Sequence, residues 1–488
     1  KDDVVGDQGR ELGRDVHSRP GEGGLPRRLL LFAAAEAVFL GITVLPDARA
    51  HLAAYLLLFL AGSLLSLYAA RSLTASRPRF LLLCAAAFRL TLLFRQPDLS
   101  DDVNRYLWDG RVAASGRSPY AFAPNDPRAA GFFPDLAPRV AHRDFRTVYP
   151  PVAQAAFRAG ATLSETSVLP IKAIFAAADL AVVALLLASG GAGTGFAAAL
   201  YAFHPLPVTE TAGEGHLDSL GVALLLASIV YLGRRRQVSA GFAFAAAVLT
   251  KFVPIVAALP LVRRGKLRFA VVALAAGATL WGLASRDGVS PAAGLGPYAT
   301  RWEFNSVLYP AVAGAVDAVD LPERAKAAYI RLKESFDHPP WTQELFPYFY
   351  TAFFARFLLA LALALALVVI AARGRDLEGA VFASLAALLL ASPTLHPWYL
   401  LWVLPFAAKR REPAFLYLSF AAPLSYALLH PLPGWSAQTV LLVEYVPFAA
   451  LLGWTAWKGR RAAGGPPHPG PLPARGEREA GAASVERG

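Results

Sequence analysis

The stretch 357-FLLALALALALVVIAA-372 is an unbroken apolar run, and similar runs recur along the chain. A helix needs about 20 apolar residues to cross the hydrocarbon core of a bilayer, and somewhat fewer inside a bundle. The chain has 488 residues, of which 56% are hydrophobic and 17% are charged. In soluble domains, roughly a quarter of the residues are charged. The sequence therefore predicts an all-α polytopic membrane protein with about 12–14 transmembrane or re-entrant helices. Its large non-cytoplasmic loops are expected to carry short juxtamembrane helices.

The apolar runs also predict where the helices lie. Lys251 and Pro254 interrupt the run between 238 and 262, which predicts a hairpin of two short helices, 238–250 and 253–262. The expected spans are 29–47, 52–70, 80–96, 168–189, 193–208, 216–233, 267–284, 350–372, 377–394, 397–408, 413–430 and 439–457.

The two ends of the chain differ from this apolar part. Residues 1–26 are polar and Gly-rich, and 466-PPHPGPLPARGERE-479 is a Pro/Gly-rich segment of low complexity. Such compositions bury too little apolar surface to fold. We therefore predict disordered cytoplasmic ends over 1–26 and 462–488, which flank a membrane domain over 27–461. No cleavable signal peptide is expected, because the first apolar run starts late and is long enough to span.

Composition also argues against two other classes of protein. The formal net charge is +12, but the Arg clusters lie in short loops between apolar runs, which is a topology pattern and not a nucleic-acid-binding face. The single cysteine, Cys84, lies inside an apolar run, so no disulfide framework is expected.

Lys and Arg in short loops predict the orientation, because such residues accumulate on the cytoplasmic side. Clusters such as 263-RRGKLR-268 and 409-KRR-411 all fall on one side if 150–164 is a short interfacial or re-entrant helix. The opposite, non-cytoplasmic face then receives most of the remaining polar groups. Its segments are the long loops 97–150 and 285–349, together with 209-TETAGEGHLDS-219 and 392-SPTLHPW-398.

Two carboxylates, Asp101 and Asp102, open a predicted short helix, 102-DVNRYLWDGRVAASG-116. Acidic residues are favoured at helix N-termini, so a capping role is one interpretation. General base catalysis is the other, since a carboxylate within hydrogen-bond reach removes a proton from an attacking hydroxyl.

Further polar residues on this face have alternative interpretations. Lys172 and Lys251 lie in apolar segments, where a charge is costly and functional by default. Lys172 alternatively snorkels to the interface, and Lys251 alternatively neutralises a buried acid. His396 lies beside aromatic residues of the kind that anchor spans, so simple solvation is its alternative. The stretch 209–219 suggests a divalent metal site, although its spacing of Glu210, Glu214, His216 and Asp218 matches no zinc signature.

These residue types together suit the transfer of a sugar from a lipid phosphate. The reaction needs a base for the acceptor hydroxyl, an apolar groove for the lipid and fixed donors for the departing phosphate. Candidates for the phosphate contact are Arg105, Arg111, Lys172 and His396.

The order of motifs over about residues 80–460 resembles the GT-C superfamily of integral membrane glycosyltransferases, in particular the polyprenyl-phosphate-mannose-dependent mannosyltransferases and their family 87 relatives. The motifs are 97-PDLSDDVNRYLWDGRVAASGRSPYAFAPNDP-127, 147-TVYPPVAQ-154, 213-GEGHLDSL-220, 250-TKFVPIVAALP-260, 301-RWEFNSVLY-309 and 392-SPTLHPWYLL-401.

The resemblance implies an inverting transfer. The basic loops place it at the non-cytoplasmic face with both termini cytoplasmic, and the composition suggests a bacterial inner membrane. Asp102 would be the base, with Asp101 as the neighbouring alternative, and His396 would help to hold the donor phosphate. The expected partners are a polyprenyl-phosphate-sugar donor, a glycan or glycolipid acceptor and membrane lipid. Nucleic acid, cofactors and a required metal are not expected. The expected substrate-binding residues are Tyr106, Trp108, Tyr149, Glu214, His216, Asp218, Trp302 and Asn305.

Two other functions remain possible from the residues alone. A transporter or flippase for a lipid-linked or polar solute would account for the broken helix at 238–262. If the chain were a purely structural membrane scaffold, the paired acids would have no role in its function. The concentration of polar groups in long loops on one face favours the enzyme, because transporters place such groups near the middle of the bilayer.

Overall fold

The computed structural model describes residues 25–463, apart from residues 75, 286, 336–344, 346 and 375. Within these ranges the chain is helical and has no strand; Phe304 and Thr394 form an isolated bridge. The prediction of an all-α polytopic membrane protein is therefore confirmed. Most of the predicted ends, 1–26 and 462–488, lies outside the described residues.

The helices follow the apolar runs of the sequence. In chain order they are α1 (Leu25–Val44), α2 (Leu52–Ser72), α3 (Pro78–Leu93), α4 (Asp102–Ala114), α5 (Pro151–Leu163), α6 (Leu169–Ser189), α7 (Thr194–Phe203), α8 (Pro205–Pro207), α9 (Asp218–Gly233), α10 (Gln237–Val248), α11 (Ala258–Ala284), α12 (Leu295–Arg301), α13 (Tyr309–Ala318), α14 (Leu321–Ser335), α15 (Thr351–Arg373), α16 (Leu377–Ala391), α17 (Leu404–Arg410), α18 (Pro413–Ala421) and α19 (Ala437–Ala463). Short 3₁₀ segments cover Pro127–Ala129, Ala137–Arg139, Val253–Ala257, Pro397–Trp402 and Ala422–Leu428, and a π-helical turn covers Val208–Gly213.

Five helical stretches in the described part are long and apolar enough to cross a membrane. They are Leu52–Ser72, Leu169–Ser189, Val253–Ala284, Thr351–Arg373 and Ala437–Gly459. Shorter apolar helices, such as α9 and α10, pack beside them. The structure is therefore that of a multi-helix membrane protein.

The predicted break near Lys251 is present, because α10 ends at Val248 and the chain becomes helical again at Val253. A second break lies at Lys266, whose φ of 55° and ψ of −161° divide α11 into two segments. The two short helices predicted over 238–250 and 253–262 correspond to α10 and to the helical segment that starts at Val253. Phe244 of α10 packs against Phe269, in the second part of α11.

The interior contains a large apolar core and a smaller one near α4. The smaller core contains Tyr106, Trp108, Phe157 and Phe175, from α4, α5 and α6. Both α4 and α5 were predicted as short helices, and they pack along each other. This core supports the end of the bundle where the candidate residues lie.

Candidate active site

The paired acids at the start of α4 face different surroundings. Oδ2 of Asp102 accepts a hydrogen bond from the Tyr149 hydroxyl at 3.5 Å, in a half-buried position. Asp101 makes no capping hydrogen bond; its side chain is 52% exposed and pairs with Arg49 at 2.8 Å. The capping interpretation of Asp101 is therefore wrong, and Asp102 is the acid turned towards the other candidate residues.

A buried carboxylate, that of Glu214, holds the turn before α4. Oε2 of Glu214 accepts the backbone N–H groups of Asp98 at 3.1 Å, Leu99 at 2.9 Å and Ser100 at 3.1 Å. Burial is the main cause that raises the pKa of Glu214 to about 7, and the charge of Asp98 adds to it. Because its acceptors are occupied by the turn, Glu214 positions α4, and its predicted contact with substrate is replaced by this supporting role.

Two aromatic residues predicted to bind substrate are enclosed by protein. Trp108 is fully buried, and Tyr106 stacks on Phe157 with ring centroids 4.5 Å apart. Tyr106 also meets Tyr149 edge-on at 5.0 Å. The expectation for Tyr106 and Trp108 is corrected accordingly: they pack behind Tyr149, the residue that contacts Asp102.

The turn before α9 brings a second acid into the site. Asp218 accepts hydrogen bonds through Oδ1 from Lys251 Nζ at 2.7 Å and from Trp402 Nε1 at 2.6 Å. Its other oxygen, Oδ2, is buried and has no hydrogen-bond partner among the described residues. Lys251 therefore does neutralise a buried acid, while one oxygen of that acid stays free for a ligand.

Two glycines make this arrangement possible. Gly215 has a φ of +82°, a conformation that disfavours a side chain, and it turns the chain from Glu214 to His216. At Gly221 a Cβ atom would lie 2.2 Å from the indole of Trp402. The absence of a side chain at Gly221 therefore lets Trp402 reach Asp218.

A stack of rings forms one wall of the site. Trp398 lies between His216 and His396, with ring centroids 3.7 Å and 4.3 Å away, and Phe304 covers the other face of His396 at 4.5 Å. Burial, with the charge of Lys251, lowers the pKa of His396 to about 3. His396 is therefore neutral at ordinary pH, so its predicted phosphate contact would be a hydrogen bond and not an ion pair.

Two tyrosines connect this wall to α12. The hydroxyls of Tyr298 and Tyr399 lie 2.7 Å apart. Burial raises the pKa of Tyr298, and the negative charges of Asp102 and Asp218 raise it further. The hydrogen bond with Tyr399 has the opposite effect and lowers this pKa. The two tyrosines thus lie within electrostatic reach of both acids.

A cavity of about 270 Å³ opens beside Tyr298, between α15 and α16. Trp302 lines its polar end, as does Arg356, whose side chain pairs with Glu303 at 2.8 Å. Its remaining lining is Ala299, Leu359, Ala360, Leu363, Leu388, Ala391, Ser392, Pro393 and Thr394. The predicted role of Trp302 is compatible with this position. Arg356 was not predicted, although an arginine at the non-cytoplasmic end of a predicted span departs from the orientation rule and was a usable signal.

Two of the predicted phosphate-binding arginines on α4 have protein partners. Arg105 pairs with the buried Asp109 at 2.8 Å and donates to the backbone oxygen of Phe145 at 3.0 Å. Arg111 pairs with the exposed Asp135 at 2.9 Å. These contacts connect α4 to the loop that follows it, and neither arginine lines the cavity between α15 and α16. We therefore assign Arg105 and Arg111 supporting roles.

Two further predicted residues are also held by protein contacts. Lys172 is buried, which excludes the snorkelling alternative, and its ammonium donates to the backbone oxygen of Arg95. Asn305 donates to the buried carboxylate of Glu444 in α19 at 3.1 Å. A charge inside an apolar helix is unusual, so Glu444 was detectable from the sequence. Lys172 and Asn305 therefore order the backbone around the site instead of facing a substrate.

The acids of 209–219 also serve separate purposes. Glu210 contacts His216, Glu214 holds the turn before α4, and Asp218 pairs with Lys251. In the described part of the chain, no three His, Cys, Asp or Glu side chains are arranged to hold a metal ion.

This site unites a carboxylate, neutral and acid-paired histidines, and aromatic rings at one end of a membrane helix bundle. Together with the comparisons below, it defines the chain as an integral membrane glycosyltransferase. It belongs to glycosyltransferase family 87, whose family model matches residues 147–393, just over half of the chain. A second family model, described as MptA_B family, alpha-(1->6)-mannopyranosyltransferase, N-terminal domain, matches residues 24–264. No curated protein and no solved structure matches the chain.

Proposed function

We propose that this glycosyltransferase moves a mannosyl unit from a polyprenyl-phosphate donor to a hydroxyl of a glycan or glycolipid acceptor. The transfer takes place at the non-cytoplasmic membrane face and inverts the anomeric carbon. The description of the second family model, a mannopyranosyltransferase, supports mannose. The concentration of Lys and Arg in the loops at the opposite end of the bundle supports the orientation.

The cavity between α15 and α16 carries the proposal of a lipid-linked donor. Much of its lining is aliphatic, including Leu359, Leu363 and Leu388, which suits an isoprenoid chain. Arg356 also lines it; this side chain pairs with Glu303, but its buried Nε has no hydrogen-bond partner among the described residues. An arginine beside an apolar cavity suits a phosphate that carries a long hydrocarbon chain.

The connection from this cavity to Asp102 supports the reaction. Tyr298 lines the cavity and contacts Tyr399, and both acids, Asp102 and Asp218, act on it electrostatically. A donor whose lipid chain fills this cavity would extend its phosphate from Arg356 towards these tyrosines and its sugar towards the two acids. Asp102 then removes the proton from the acceptor oxygen, which attacks the anomeric carbon as the bond to the phosphate oxygen breaks. Asp218, through its free Oδ2, accepts a hydrogen bond from a sugar hydroxyl.

A comparison of donors tests this function. Purified protein in detergent is given radiolabelled polyprenyl-phosphate mannose or GDP-mannose, with an alkyl α-mannoside as the acceptor. We expect label in the mannoside with the lipid donor alone. Transfer from GDP-mannose alone would overturn the lipid-phosphate donor. Flux of an intact lipid or sugar across proteoliposomes, without any transfer, would favour the transporter alternative instead.

A further inference from the structure

Next to the proposed base lies a buried carboxylate–imidazole pair, Glu210 and His216. Nδ1 of His216 is 3.0 Å from Oε2 of Glu210 and 3.1 Å from the backbone oxygen of the same residue. The Tyr426 hydroxyl donates to Glu210, 3.0 Å from each carboxylate oxygen. Because two acceptors surround Nδ1, this nitrogen carries a proton, and the orientation of the ring is fixed.

The other ring nitrogen of His216 is free for a ligand. Its Nε2 is buried and has no hydrogen-bond partner among the residues that the structure describes. The ring lies flat on Trp398, with an interplanar angle of 15°. A buried polar atom without a partner is costly, and at functional sites it commonly awaits a ligand.

The charges around His216 favour its protonated form. Burial opposes the positive charge, but the hydrogen bond and charge of Glu210, followed by the charges of Asp102 and Asp218, raise the pKa of His216 on balance. Glu214 also faces the ring electrostatically. Further titratable groups nearby are Tyr426, which donates to Glu210, and Lys251, which pairs with Asp218. His396 is also near, and burial keeps it neutral, with its pKa lowered to about 3.

The two histidines on either side of Trp398 therefore differ in a way that the sequence did not reveal. His396 has aromatic neighbours on both faces, whereas His216 has a carboxylate behind it and a free nitrogen in front. A proton donor for a leaving group needs the second arrangement.

We propose that His216 is the general acid of the transfer and that Glu210 is its positioning residue, an assignment that rests on the proposed function. As the bond between the anomeric carbon and the phosphate oxygen breaks, that oxygen keeps the electron pair and receives the proton from Nε2. The acceptor proton goes to Asp102. Transfer of one proton from Asp102 back to His216 through solvent restores the enzyme, so that one acceptor proton ends on the lipid phosphate.

The test is the pH profile of kcat for transfer from polyprenyl-phosphate mannose to an alkyl α-mannoside. Wild type is compared with His216→Gln, Glu210→Gln and Glu210→Asp, and His51→Gln is the matched control. His51 lies just before α2, and its exposed ring is hydrogen-bonded to the backbone oxygen of Asp47. Thermal unfolding of each variant reports whether it folds.

We expect His216→Gln to lower kcat about 100-fold or more and to abolish the fall in activity at alkaline pH. Activity requires protonated His216, so it falls as pH rises through the pKa of this residue. Removing the charge of Glu210 lowers that pKa, and Glu210→Gln should therefore move the alkaline limb to lower pH. Glu210→Asp should move it back towards wild type, and His51→Gln should change nothing.

Two results would overturn the assignment, and they are distinguishable from failure of the proposed function. If wild type transfers mannose and a folded His216→Gln keeps its kcat and alkaline limb, His216 is not the acid. If His216→Gln does not fold, an alkaline limb that is identical in wild type, Glu210→Gln and Glu210→Asp overturns the pair. If wild type transfers nothing from the lipid donor, the proposed function fails, and the acid assignment fails with it.

Discussion

The hydroxyl of Tyr149 lies 3.5 Å from Oδ2 of Asp102, whereas the preceding acid, Asp101, pairs with Arg49 at the protein surface. Adjacent residues on the first turn of a helix point in different directions, since each step rotates the chain by about 100°. The same rotation that turns Asp102 towards Tyr149 turns Asp101 away from it.

The first prediction separates these two acids. Asp102→Asn should lower kcat by about 100- to 10,000-fold, because the amide cannot accept the acceptor proton. Asp101→Asn should change kcat less than about fivefold, because it removes only a partly exposed ion pair. Steady-state transfer assays of the two variants check this. Equal losses of kcat in both variants, or a larger loss in Asp101→Asn, would show that Asp102 is not the base.

The second prediction concerns the donor phosphate. Arg356→Gln should raise KM for the lipid donor about 10- to 100-fold, because a charge-assisted hydrogen bond contributes about 1.5–3 kcal/mol. Arg356→Lys should retain part of this affinity. Arg111→Gln is the control, since Arg111 pairs with Asp135 and does not line the cavity. A donor KM that rises in Arg111→Gln and stays constant in Arg356→Gln would contradict the assignment of the groove.

The third prediction concerns the close approach of Trp402 to α9. Gly221→Ala should destabilise the protein by about 1–3 kcal/mol and lower activity, because the added methyl group collides with the indole that contacts Asp218. Gly233→Ala in the same helix should be neutral or slightly stabilising, since nothing lies within 4 Å of the added atom. Thermal unfolding and transfer rates of the two variants give the comparison. Equal stability of both would show that Trp402 can move freely.

The fourth prediction concerns a buried ion pair inside the bundle. Arg89 Nε donates to Asp179 Oδ2 at 2.7 Å, and both side chains are buried. Asp179→Asn should lower stability by about 3–5 kcal/mol, because it leaves an uncompensated buried charge. The double variant Arg89→Leu with Asp179→Asn should recover part of the loss. Asp135→Asn, at a surface pair, should leave the unfolding temperature almost unchanged. A single variant as stable as wild type would contradict this account.

The sequence predicted the long apolar helices well because each of them follows from an apolar run. The bounds of α12, α13 and α14, inside the loop 285–349, were not predicted. The break near Lys251 was also predictable, since a charge and a proline interrupt one such run. The collection of Asp102, His216 and Asp218 at one end of the bundle followed from counting crossings and basic loops.

The partner of each polar side chain was not predictable in the same way. Glu210 and His216 meet through a π-helical turn, Val208–Gly213, and apolar periodicity does not predict such a turn. The different environments of His216 and His396 depend on contacts across distant segments. Arg105 and Arg111 were predicted to bind phosphate because of their charge, but only the three-dimensional structure shows that each pairs with an acidic residue.

The proposed transfer is a single displacement at the anomeric carbon, with Asp102 as base. The most direct measurement is the anomeric configuration of the product, determined by NMR with ¹³C-labelled β-linked polyprenyl-phosphate mannose and an alkyl α-mannoside. We predict an α-linked product, because direct attack by the deprotonated acceptor inverts the configuration. A β-linked product would mean that the configuration is retained, which a single inverting displacement excludes, and would contradict the role given to Asp102.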